Sequence, residues 1–135
     1  MKFILLISFA AIFINSCSSS SMNTELSGKG WNVTSLLGKT LDSGLTKNEI
    51  PGLIFEKNGK LFGSTGCNNF TGSYKVTDKS ILLDVGSMTK MFCPESTEQD
   101  FLKAVKQVTG FNFDGGDLNL QNGSKIVMSL QRREN

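Results

Sequence analysis

The sequence contains no histidine. That absence excludes the Ser-His-Asp triad, the Cys-His pair and His-ligated zinc, each of which needs an imidazole as base or ligand. Neither sign of charge is in excess: 14 basic residues stand against 12 acidic ones, for a net charge of +2. With the basic residues dispersed, nucleic acid or an acidic membrane surface is not expected as the main partner. The three cysteines include no Cys-x-x-Cys spacing, and no phosphate-loop pattern surrounds Gly115-Gly116. The hydroxyls of Ser64, Thr65, Thr71 and Ser73 have no base within sequence reach, so nucleophilic catalysis lacks an activating group. The carboxylates Asp42, Glu56, Asp84, Asp114 and Asp117 are scattered beside turns or on outer strand faces, and no glycosidase-like pair can be named. The expectation is a non-enzymatic protein with no cofactor and no metal.

A membrane-spanning run is also missing. The apolar segment at 3–13 is too short for a transmembrane helix, which takes about 20 residues. Behind Lys2 it has the layout of a secretory signal peptide. Ile14-Asn15-Ser16-Cys17 then looks like a bacterial lipobox, with a branched residue three before the cysteine and a small residue just before it; Asn15 is the less usual member. Cys17 is therefore expected to become the acylated N-terminus. Several acyl chains on one residue exceed the two-chain requirement for stable anchoring. Ser18 is not aspartate, which directs the expectation to the outer membrane, facing the periplasm. The chain divides into a signal peptide at 1–16, an acylated cysteine with a flexible Ser-rich tether at 17–30, and one domain at 31–135.

What is present reads mostly as strand. Trp31, Val33 and Ser35 alternate with polar residues, and a short strand lies near Thr40-Leu41. The stretches at 53–57 and 60–64 flank Asn58-Gly59, which predicts a hairpin with a type I′ turn. From Asn68 to Thr77 the even-numbered residues form an apolar face and the odd-numbered ones a polar face. Asp78-Lys79 turns this strand into 81–85. The period then changes: Phe101, Leu102, Val105 and Val108 form a helical stripe over 97–109, with Ser96 and Gln99 as a capping box and Gly110 as the stop. Three more strands, at 111–113, 117–121 and 125–131, complete the chain, and 132–135 reads as a frayed end. The fold class is α+β, mainly antiparallel β: a curled sheet or cracked barrel of about eight strands with one helix packed across it.

Two stretches carry a family resemblance. Gly66-Cys67-Asn68-Asn69-Phe70-Thr71-Gly72-Ser73-Tyr74 resembles the Gly-Cys-Asn, then aromatic-x-Gly-x-Tyr, signature of the META domain, or HslJ-like, family. Met88-Thr89-Lys90-Met91-Phe92-Cys93-Pro94 is similar to that family's second block, and Glu98-x-x-Phe101 is similar to the helix that comes after this block in the family. One departure is Phe92, where members often carry a small residue. The resemblance covers about 31–130. It implies a small β-rich, partly barrel-like domain with a helix, often borne by bacterial envelope lipoproteins and in some cases linked to heat or envelope stress. It brings no established catalytic residue or ligand.

Cys67 and Cys93 admit three readings: a structural disulfide, favoured by export to an oxidising compartment; two separately buried thiols; or a redox or metal pair, which lacks neighbouring ligands. Gly66, Asn68, Phe70, Gly72, Tyr74, Thr89 and Met91 are expected to be structural. Asn68 shares the buried face and so needs hydrogen-bond partners inside the fold. Gly66 and Gly72 answer backbone demands, Gly72 by leaving room for a crossing chain. The functional expectation is an envelope lipoprotein, anchored to the membrane through its lipid and binding an unknown envelope protein or lipid. The alternative is a carrier holding a lipid or small apolar ligand in the barrel cavity.

Overall fold

The computed structural model of the chain describes residues 19–41, 44–46, 49–94 and 96–134. The signal peptide, the lipobox and Cys17 lie outside them. The elements are α1 (Ser19–Leu26), β1 (Gly30–Leu36), β2 (Lys39–Thr40), β3 (Gly52–Phe55), β4 (Lys60–Ser64), β5 (Asn69–Thr77), β6 (Ser80–Met88), α2 (Glu98–Gln107), β7 (Gly110–Asp114), β8 (Asp117–Asn122) and β9 (Lys125–Arg132).

All strand pairings are antiparallel, and the strand order is β2-β1-β3-β4-β5-β6-β7-β8-β9. Pairing of β1 with β9 closes this nine-stranded sheet into a ring, with Trp31 opposite Arg132 and Leu36 opposite Met128. The ring is uneven. β6 and β7 share a single register pair, Ser80 with Gly110. A Cβ on Gly110 would stand 3.0 Å from the Lys79 carbonyl oxygen. Gly110 therefore serves this close strand contact and does not stop the helix, which already ends at Gln107 as Val108 turns extended.

The helix α2 lies in the β6–β7 connection and packs against β6, β1 and β9. Its buried residues are Phe101, Ala104 and Val105, followed by Val108 past its end. That spacing places them on one stripe, which enters the open side of the ring. There they meet Trp31, Phe55, Leu61, Phe111, Leu118, Leu120, Met128 and Leu130, all nearly or fully buried. Each such side chain contributes roughly 1.5–3 kcal/mol by leaving water. Phe70 on β5 meets Phe101 on α2 at 5.7 Å, and within the sheet Phe55 meets Tyr74 edge-on at 5.0 Å.

Three local expectations change. Of Asn58 and Gly59 only Gly59 has a positive φ (84°), so the turn is not type I′; Asn58 caps it instead, its Oδ1 accepting from the Lys60 amide at 3.0 Å. Among the described residues, two-residue turns with positive φ at both positions are Leu37-Gly38 (50° and 82°) and Gly115-Gly116 (59° and 96°). The stretch assigned to a tether up to residue 30 is ordered from Ser19: α1 ends in Leu26, which is fully buried, and the Leu26 carbonyl accepts from Trp31 Nε1 at 3.1 Å. A single large apolar side chain with a partner for its backbone is enough to dock that segment. The C-terminal end is not frayed at Arg132 or Arg133. Arg132 belongs to β9 and stacks its guanidinium 5.4 Å from the Trp31 ring centre, while the Arg133 amide donates to the Gly30 carbonyl at 2.8 Å.

Candidate functional site

The two signature stretches come together where β5 begins and β6 ends. Asn68 sits at the centre, 1% exposed. Its Nδ2 donates to Glu98 Oε2 at 2.9 Å and to the Met91 carbonyl at 3.1 Å. Its Oδ1 accepts from the Met91 amide at 2.7 Å and from Thr89 Oγ1 at 2.9 Å. Its backbone amide donates to Thr65 Oγ1 at 2.9 Å, and its carbonyl accepts from the Thr65 amide at 2.8 Å. An asparagine amide offers two donors and one acceptor oxygen with two lone pairs, and all of them are used. This side chain holds three segments at once: the β4–β5 corner, the loop after β6 and the first turn of α2.

Two threonines complete the corner. Thr65 Oγ1, fully buried, donates to Glu98 Oε2 at 2.6 Å. Thr97 Oγ1 donates to the Thr65 carbonyl at 2.9 Å, so although Thr97 stands at the helix N-cap it makes no side-chain cap bond. The Ser96–Gln99 capping box is therefore not what starts α2; the tertiary bonds of Thr97 and Glu98 are. Glu98 fits the family pattern in the sequence, but its role as acceptor for Thr65 and Asn68 is not visible there. Partners separated by 33 and 30 residues leave no local signal.

Cys67 and Cys93 form a disulfide, with their Cα atoms 5.9 Å apart and a sequence separation of 26. The reading of two separately buried thiols therefore gives way to the disulfide. Gly66 has φ +89°, and a Cβ there would overlap Thr97 Oγ1 and approach the Glu49 carbonyl. A Cβ on Gly72 would overlap the Asp84 carbonyl oxygen, where β6 bulges across β5. The crossing chain for which Gly72 leaves room is β6. Phe70 and Tyr74 are buried as the alternation requires, while Asn69, Thr71, Ser73, Lys75 and Thr77 face out. The Tyr74 hydroxyl donates to the Glu56 carbonyl at 2.7 Å. Burial, then the nearby Glu56 charge, push its pKa above the usual tyrosine value.

The signature thus spends its polar groups on itself, and what it presents outward is a loop. Met91 is bonded through both its amide and its carbonyl to Asn68, and Cys93 is tied to Cys67. Between these two pins Phe92 stands 91% exposed, beside Met91 at 59%. The interior offers a contrast. The ring is filled by its own side chains, Trp31, Phe55, Phe101 and Phe111 the largest among them, which weighs against a ligand carried inside the barrel. Among the described residues no group of three or more Cys, Asp or Glu side chains is placed to hold a metal ion, and no helix is long and apolar enough to cross a membrane.

The META domain family model matches residues 24–135. A solved NMR structure resembles the chain with a TM-score of 0.64 at 18% identity, covering 81% of this chain and 92% of that one. An NMR structure of a protein from Burkholderia xenovorans covers 98% of this chain and 100% of that one, with a TM-score of 0.59 at 17% identity. A crystal structure of a DUF4847 family protein from Bacteroides vulgatus covers 84% and 97%, with a TM-score of 0.59 at 17% identity. At these identities the likeness is one of fold. A comparison with curated proteins found no match.

Proposed function

Because the chain belongs to the META domain family, we propose that it is a non-enzymatic META-type lipoprotein of the bacterial envelope, acting in envelope maintenance or stress tolerance by binding another envelope component. The observation that carries the binding half is the loop holding Met91 and Phe92. Leaving a phenylalanine 91% exposed on a segment fixed by a disulfide and by the Asn68 bonds costs solvation without contributing to the core. Such a rigid apolar projection suits an anchor residue for a partner's pocket, because little conformational freedom is left to lose on binding.

The address rests on the sequence: the apolar leader, the lipobox ending at Cys17, and Ser18 after it. An acyl group on Cys17 would hold the domain to the membrane, on its periplasmic side.

Two measurements on cells expressing the full chain test this. Cys17→Ala should move the protein from the membrane to the soluble fraction, and unchanged fractionation would refute the anchor. A photo-crosslinking residue at position 92 should trap a discrete envelope component that one at the exposed Lys79 does not. Identical crosslinking from both positions would refute Phe92 as the contact.

A further inference from the structure

We propose that Arg133 binds the head group of an anionic amphiphile, a carboxylate or phosphate borne on an apolar chain, in the surface cleft it shares with Ser64 and Asn69. The proposal goes beyond partner binding through Phe92 and depends on neither that loop's partner nor the anchor at Cys17.

The arginine is placed rather than loose. Its backbone amide is tied to Gly30, and its Nε donates to Asn32 Oδ1 at 3.0 Å, which sets the plane of the guanidinium. The group lies over β3, where residue 52 is glycine. A Cβ there would stand 2.8 Å from Arg133 Nη2 and 2.9 Å from the Trp31 carbonyl oxygen. Glycine at 52 is thus what lets the side chain lie flat across the sheet. Among the described residues no carboxylate pairs with it. A held guanidinium keeps a fork of donors matched to two oxygens of one anion, and little order remains to be imposed when the anion arrives.

The surroundings select the same charge. Arg133, Ser64 and Asn69 line two adjoining clefts of about 400 Å³ and about 340 Å³. Both volumes lie in the range of small-ligand sites, about 300–1,000 Å³. The described lining residues of both include no aspartate or glutamate. The side-chain amides of Asn32 and Asn69 supply further donors: Asn32 has given its oxygen to Arg133, and the Asn69 side-chain amide has no partner among the described residues.

Apolar surface adjoins the charge. Ile54 and Phe62 are register partners on β3 and β4, half-buried on the outer face, and both line the second cleft. Ile50 and Met91 line the first. A bare inorganic anion would leave these walls unused, and a neutral hydrocarbon would leave the guanidinium unmatched. An anion on a chain satisfies both.

The test is calorimetric titration of the purified full chain with dodecyl phosphate below its micelle concentration, beside inorganic phosphate and the neutral dodecyl glucoside. Dodecyl phosphate should bind at least about tenfold more tightly than either, the difference one charge-assisted pair or one short apolar contact supplies. Arg133→Ala should weaken dodecyl phosphate about tenfold or more. Asn69→Asp, at an exposed position that leaves Arg133 and its bond to Asn32 untouched, should do the same while sparing dodecyl glucoside. Phe62→Ser should weaken dodecyl phosphate and leave inorganic phosphate unchanged. Equal affinity for dodecyl phosphate and dodecyl glucoside would overturn the anionic site. Equal affinity for dodecyl and inorganic phosphate would overturn the amphiphile. Full retention of dodecyl phosphate by both Arg133→Ala and Asn69→Asp, each with an unchanged melting temperature, would overturn the assignment to this cleft.

Discussion

Asn68 donates to Glu98 at 2.9 Å across 30 residues of sequence, joining the start of β5 to the first turn of α2 through a side chain that is 1% exposed. Removing the amide strands the Met91 amide and leaves the carboxylate one donor short. Asn68→Ala is expected to cost about 3 kcal/mol, since each buried group left unpaired costs roughly 1–3 kcal/mol. Urea unfolding measures it, and a loss under about 1 kcal/mol would show that water replaces the amide. Asn68→Asp sets a second carboxylate against Glu98. Its deficit should be larger at pH 7 than at pH 4.5, where protonation lets one oxygen donate again. An equal deficit at both would rule out charge as the cause.

The disulfide closes a loop between Cys67 and Cys93 with a separation of 26. The chain-entropy relation for a loop of this size gives roughly 3 kcal/mol. Cys93→Ser, or reductant added to the wild type, should lower unfolding stability by about that amount, and reductant should have no further effect on the variant. Mass spectrometry of the oxidised wild type should show the two thiols blocked to alkylation before reduction.

Gly72 is the position where β6 presses hardest on β5. Gly72→Ala should prevent accumulation of folded protein or cost more than about 3 kcal/mol, because overlap with backbone cannot relax by a rotamer change. Gly115→Ala, in open space at φ 59°, should cost only about 1–2 kcal/mol, the penalty of a left-handed alanine. Comparable losses would contradict the close approach at Gly72.

The range of each interaction decides whether the sequence reveals it. The β5 alternation and the α2 stripe depend on burial period, which each segment carries in itself. The start of α2 is not legible in this way. Ser96 and Gln99 have the right local spacing, yet Thr97 and Glu98 are spent on Thr65 and Asn68, a choice made by the tertiary fold. Leu26 and Arg133 escape a sequence reading for the same reason. Each is one residue in a polar stretch, and its partner, the ring interior for one and Asn32 for the other, is far away in sequence. The alternation of β5 marks Asn68 as structural by placing it on the buried face; only the folded chain shows that its bonds reach Met91 and Glu98.

Tyr74 supplies a pH prediction. Its folded pKa is raised, so below the ordinary tyrosine value of about 10 the hydroxyl is protonated in both states and contributes no pH dependence. Above that value the unfolded chain ionises first, and stability falls as pH rises toward the folded pKa. The Tyr74→Phe variant should lose about 0.5–1.5 kcal/mol at pH 8 with the bond to the Glu56 carbonyl, and this deficit should shrink by pH 11. A deficit that stays constant between pH 8 and pH 11 would remove Tyr74 from the alkaline limb.

Closure of the ring by β1 and β9 gives the domain a direction in time. The first strand finds its last neighbour only when β9 exists, with Trp31 waiting for Arg132. Contacts of such high sequence separation slow folding, because their closure entropy is met before they return any stability. A chain emerging N-terminus first would keep one edge of β1 unpaired until β9 is made. A truncation before β9 would strip a neighbour from both β1 and β8 at once, so the ring closes only once β9 has been made.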